Sequence, residues 1–165
     1  MKLENKVILV TGGAGFVGSN LCAKLNEFSG VRVVSLDNYF TGTVSNHIEG
    51  VEYIRGESAN IDKLIDFTPD VIFHLGEYSR VEQSFDDIEK VIRFNLIGTS
   101  AVLEFVRKTG AKIIYAGSST KFGDNGDGSD ASPYGWSKSS NTNLVKNYGR
   151  WYNIDFAITF GSSQQ

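Results

Sequence analysis

The chain of 165 residues has one cysteine, two histidines and no apolar run of the roughly 18 residues that a bilayer span requires. A single thiol, Cys22, excludes an internal disulfide, and its neighbours Leu21, Ala23 and Leu25 put it in helix packing rather than in reactive chemistry. The opening Met1-Lys2-Leu3-Glu4-Asn5-Lys6 lacks the apolar core of a signal peptide, so a cytoplasmic protein is expected. Positive charge is scarce as well. Sixteen Lys and Arg against 19 Asp and Glu give a net charge of −3, and no basic run interleaves with aromatics. Neither nucleic acid nor a membrane surface is therefore an expected partner. The acidic stretch from Gly123 to Asp130 invites a calcium reading, but an EF-hand loop opening at Asp124 needs a bidentate Glu where Gly135 stands. No metal site is expected.

At 41% hydrophobic residues, a chain of this length can bury about 70% of the surface that its unfolded form exposes, and residues 1–165 are expected to form one domain. Strand-like runs recur at Lys6–Val10, Val31–Leu36, Val51–Ile54, Val71–Leu75, Lys112–Ala116 and Ile154–Phe160, most of them separated by helix-like segments. This alternation predicts an α/β fold, a doubly wound parallel sheet of about six strands covered on both faces. Apolar residues at helical spacing predict helices over residues 86–108 and 134–152. Both carry more apolar surface than one sheet face needs, so a homodimer through them is expected.

Two constellations carry chemistry. The first is Thr11-Gly12-Gly13-Ala14-Gly15-Phe16-Val17-Gly18, which follows the apolar Val7-Ile8-Leu9-Val10 and leads into a helix-like segment. Glycines at 12, 15 and 18 permit a tight turn, close approach to phosphates, and packing of helix on strand. The helix start offers N–H groups and a positive dipole end to a pyrophosphate. Asp37 ends the second strand, nineteen residues beyond Gly18. A carboxylate there accepts hydrogen bonds from ribose hydroxyls and repels a 2′-phosphate, which favours NAD over NADP.

The second is Tyr134-Gly135-Trp136-Ser137-Lys138, preceded by a strand running into Ser118. Tyr134 and Lys138 would share a helix face one turn apart. A tyrosine that takes a proton from a sugar hydroxyl near neutral pH needs its pKa lowered from about 10, and three units correspond to about 4 kcal/mol. A neighbouring ammonium and a nicotinamide cation favour the phenolate, and a serine can hydrogen-bond the reacting oxygen.

With both constellations in one chain, the sequence resembles the extended short-chain dehydrogenases/reductases, in particular the NAD-dependent epimerase/dehydratase group that includes UDP-glucose 4-epimerase. The resemblance runs over about 160 residues, through the glycine turn, Asp37-Asn38, His74-Leu75-Gly76, Asn95, Ser118, Tyr134 and Lys138. It implies a Rossmann fold in which Gly12, Gly15, Phe16, Val17 and Gly18 wrap the pyrophosphate. Asp37 and Asn38 would lie at the adenosine ribose, and Glu57 and Ser58 beside the adenine, where relatives usually have an Asp and an apolar residue. Leu75, Gly76 and Glu77, with Asn95 on the long helix, would serve the stretch toward the nicotinamide. Lys138 would also bridge the nicotinamide ribose, and Ser118 and Tyr134 would face the sugar C4 hydroxyl of a nucleotide sugar such as a UDP-hexose.

Dehydratase relatives carry an Asp-Glu pair after the serine position; Ser119-Thr120 stand here, neither of which can act as a carboxylic acid. The chemistry implied is oxidation at sugar C4 to a 4-keto intermediate and return of the hydride. The resemblance further implies a second half that grips the nucleotide and that this sequence does not contain. Asp155–Phe160 would then be an apolar sheet edge. A minimal epimerase is the leading expectation, beside an NAD-binding module without turnover and a regulatory partner of a full-length relative.

Overall fold

The structure is a computed structural model and describes residues 1–118 and 130–161. Val7–Thr11 (β1) leads through the glycine turn into Phe16–Leu25 (α1), followed by Arg32–Asp37 (β2) and Glu52–Arg55 (β3). A short helix, Ile61–Leu64 (α2), precedes Val71–His74 (β4). Ile88–Val91 (α3), a π-helical segment Ile92–Ile97 and Gly98–Thr109 (α4) then run on without a break. Lys112–Ser118 (β5), Pro133–Tyr152 (α5) and Phe156–Gly161 (β6) complete the described chain.

The six strands form one parallel sheet in the order β3-β2-β1-β4-β5-β6. All six lie on the expected runs, and the sheet is the doubly wound Rossmann type. The chain reverses direction across the sheet between β1 and β4, so the loops after these two strands part and leave a crevice at their carboxyl ends. Period-two alternation divides the core. Leu9, Val34, Leu36, Ile72 and Ile113 pack against Ile61, Leu103, Val106 and Val145 on one face. Ile8, Val10 and Val33 meet Cys22 and Leu25 of α1 on the other.

The helix ends follow local chemistry. Ser132 caps α5 by accepting from Gly135 N at 2.9 Å, with Pro133 in the first helical position. Gly110 ends α4 in the left-handed region at φ 75°. The two long helices match the expected spans to within a turn, but their aromatic and aliphatic residues divide. Val145 and Tyr148 are buried in the core, while Ile88, Ile97, Trp136 and Trp151 remain exposed. No helix among the described residues is long and apolar enough to cross a membrane. The stretch from Gly123 to Ser129, and Ser119-Thr120, lie outside the described residues.

Candidate functional site

At the carboxyl ends of the central strands lies a cavity of about 620 Å³. The glycine turn forms its floor. Gly12 sits at φ +75°, and a Cβ there would come within 2.9 Å of the Gly76 backbone; a Cβ on Gly18 would lie 2.0 Å from the Gly12 carbonyl oxygen. Such contacts leave room only for hydrogen. Gly15 is the N-cap of α1 and supplies no side-chain cap, and the first turn carries no acidic residue. The N–H groups and dipole end there are available to an anion. The bare turn and its glycine contacts fit a dinucleotide pyrophosphate.

Asp37 lines the cavity from the end of β2. Its Oδ2 accepts from Ala14 N at 2.9 Å and its Oδ1 from Tyr39 N at 2.8 Å, so the carboxylate also braces the glycine turn. Each oxygen keeps a further lone pair for a hydroxyl. The loop that follows folds back over the turn, with Thr43 N and Asn46 Nδ2 both donating to Ala14 O. Tyr39 accommodates this at φ 59°, the left-handed region. Phe40 stacks on Tyr78 and meets Phe94, closing one side of the cavity with aromatic rings. Glu57 and Ser58, expected beside an adenine, line the cavity, but the Glu57 carboxylate is already engaged by Arg93 Nε at 2.8 Å.

The other end is built by β4, β5 and α5. Leu75, Gly76, Glu77, Tyr134 and Lys138 all line it. Lys138 is 6% exposed, donates to Ala116 O at 2.5 Å and lies 3.3 Å from Glu77 Oε1. Ser118 ends β5 one residue beyond Gly117, which bounds the cavity. Asn95 does not line the cavity. It is fully buried in the π-helical segment, where its Oδ1 accepts from Tyr78 N at 2.6 Å and its Nδ2 donates to Tyr78 O and to Ser137 Oγ. Ser137 Oγ in turn donates to Tyr134 O at 2.7 Å. Asn95 thus ties the loop after β4 to the turn that carries Tyr134. A π-helical turn is a local widening often found where a helix must aim a side chain at a site.

A polar chain links the two ends. Thr11 Oγ1 accepts from Leu75 N and Gly76 N, which leaves its proton for His74 Nδ1 at 2.7 Å. The other ring nitrogen then carries the hydrogen and faces Thr99 Oγ1 at 2.8 Å. Asn141 Nδ2 reaches Thr99 Oγ1 and Glu77 Oε2. Burial, outweighing the attraction of Glu77, lowers the His74 pKa from 6.5 to about 4, so the ring is neutral. Among the described residues no cluster of His, Cys, Asp and Glu could hold a metal ion.

The sequence placed Glu77 on the wall but missed its burial against Lys138, for which a carboxylate closing an apolar strand run was the available signal. It also missed Phe40, Thr41, Tyr78 and Arg80, which line the cavity from loops, and Phe94, which lines it from the π-helical segment; none carries a spacing that marks it.

Residues 8–162 match the NAD dependent epimerase/dehydratase family. A putative UDP-glucose 4-epimerase of Methanocaldococcus jannaschii is 33% identical over 92% of this chain and 54% of its own length. UDP-glucuronic acid decarboxylase 6 of Arabidopsis thaliana is 36% identical over 73% of this chain and 36% of its own. A crystal structure of the Thermus thermophilus UDP-glucose 4-epimerase complexed with NAD superposes with a TM-score of 0.76 at 28% identity, covering 92% of this chain and 53% of that one. The chain thus spans about half the length of the UDP-glucose 4-epimerases it matches.

Proposed function

The chain belongs to the NAD dependent epimerase/dehydratase family, and from that premise we propose that it binds NAD in this cavity and carries the reacting centre of a UDP-hexose 4-epimerase. The observation that supports this most is the opening of the glycine turn and of Tyr134 with Lys138 onto one cavity. Bound NAD would supply the hydride acceptor and donor. Gly12, Gly15, Phe16, Val17 and Gly18 hold the pyrophosphate, Asp37 the adenosine ribose, and Lys138 the nicotinamide ribose. Tyr134 takes the proton of the sugar C4 hydroxyl as the C–H bond breaks, and Ser118 steadies the oxygen that becomes a ketone. The same groups return the proton when hydride is delivered to the other face.

A second product is favoured by the decarboxylase relatives. A C4 ketone stands β to a C6 carboxylate, an arrangement that loses carbon dioxide readily. Calorimetric titration with NAD, then with UDP-glucose, UDP-galactose and UDP-glucuronic acid, followed by NMR of the sugars, separates these readings. Interconversion of the hexoses supports the epimerase, and release of carbon dioxide supports the decarboxylase. NAD binding without sugar-nucleotide binding supports a cofactor module or a regulatory partner of a full-length relative. Tyr134→Phe is expected to abolish turnover while leaving NAD affinity within about fivefold, since the phenol contributes one hydrogen bond at most. We further propose that the chain is a homodimer through the exposed apolar faces of its two long helices.

A further inference from the structure

The carboxylate of Glu77 occupies a place where charge is costly. Its side chain is 2% exposed and that of Lys138 is 8% exposed. Withdrawing such a pair from water is costly for each ion, and an apolar pair of similar size is often no less stable. Packing alone therefore gives no reason for a carboxylate here. Its partners are Lys138 Nζ at 3.3 Å, Asn141 Nδ2 at 3.1 Å and, at 3.8 Å, His74 Nε2. The ionisable groups set against it among the described residues are His74 from β4, Tyr115 from β5 and Lys138 from α5, and Tyr134 lines the same cavity. His74 is neutral, as described above. Burial first, then the Glu77 charge, push the pKa of the Tyr115 hydroxyl far up, so it is neutral too. Lys138 Nζ and Glu77 Oε1 are left facing each other as an ion pair at 3.3 Å.

We infer that Glu77 is a positioning residue that fixes Lys138 and balances its charge, so that this end of the cavity accepts the oxidised, cationic nicotinamide in preference to the reduced, uncharged ring. The inference rests on the proposal that the nicotinamide end of NAD lies beside Tyr134 and Lys138. An ammonium alone would repel a ring that carries a positive charge and leave the reduced ring unaffected. In a cavity walled by protein that repulsion is stronger than in water. Glu77 cancels it and keeps Nζ turned to the Ala116 carbonyl, and of the three lysine N–H groups one remains for a ribose oxygen. The balance suits a reaction that begins with removal of hydride from the sugar.

The test compares dissociation constants for NAD+, by calorimetry, and for NADH, by fluorescence, in the unaltered chain, Glu77→Gln, Lys138→Gln and the double variant. Glu77→Gln is expected to move the ratio of the two constants about tenfold toward NADH. Lys138→Gln moves it toward NAD+, and the double variant returns it near the starting value. A purely structural Glu77 would weaken both forms alike, and an unmoved ratio in Glu77→Gln overturns the inference. Should that variant fail to fold, an unmoved ratio in Lys138→Gln overturns it equally. A chain that binds neither form overturns the cofactor reading itself, a result distinct from an unmoved ratio.

Discussion

A histidine in water is half protonated at pH 6.5, but His74, enclosed between two threonine hydroxyls, holds off its proton until about pH 4. Between these values the unfolded chain binds a proton that the native chain does not. Stability is therefore complete above pH 6.5 and falls as the pH drops toward 4. The loss from this one ring amounts to at most about 3 kcal/mol. Urea midpoints measured at pH 7 and pH 4.5 are expected to differ less in His74→Gln than in the unaltered protein, although that variant starts from a lower midpoint at pH 7. Cys22 behaves oppositely in kind. Burial, aided by the Asp37 charge, raises its thiol to about 11, so the thiolate is scarce at pH 8. Iodoacetamide is expected to label it only after denaturant is added, and rapid labelling of the native chain would contradict its burial between α1 and the sheet.

Among the elements, the passage from β1 to α1 is the most sensitive to added atoms. Gly18→Ala would drive a methyl group into the Gly12 carbonyl, and relief requires the turn to open. NAD affinity is expected to fall at least tenfold with a smaller loss of thermal stability, because the strand and the rest of the helix can stay packed. Calorimetry and a melting curve together check both parts. This turn, the six strands and the two long helices were legible in the sequence because each is encoded by residues near one another: glycine spacing, apolar runs and helical periodicity. The π-helical segment was not, since Ile92–Ile97 is apolar at ordinary helical spacing and nothing local announces a wider turn. Asn95 shows the consequence. Its presence was legible, but its place behind the cavity wall depends on Tyr78 and Ser137, which lie far from it along the chain. Glu57 was likewise legible as a residue of the cavity, whereas its pairing with Arg93 spans two elements and leaves no local mark.

At the level of the whole molecule, exposed side chains set an expectation about association. Ile88, Ile97 and Trp151 are 49%, 52% and 55% exposed, and Ile88 and Ile97 line one shallow groove with Ile92; apolar surface gathered in this way marks interaction sites. Sedimentation at micromolar concentration is expected to give a dimer, and Ile97→Glu to shift it toward monomer without altering NAD affinity. A monomer at all concentrations would refute the proposed association.

The central position of the first strand has a consequence during synthesis. β1 needs a neighbour on each side, and the one on its second side, β4, begins at Val71. A ribosome adding about 5–20 residues per second makes β2 and β3 first. For several seconds the emerging chain can complete one flank of β1 while the N–H and C=O groups of the other stay open to water or to any passing strand. The strand at the middle of the finished sheet is thus an edge in the nascent one, and the arrival of residues 71–74 both removes that hazard and brings together the two loops between which the cavity opens.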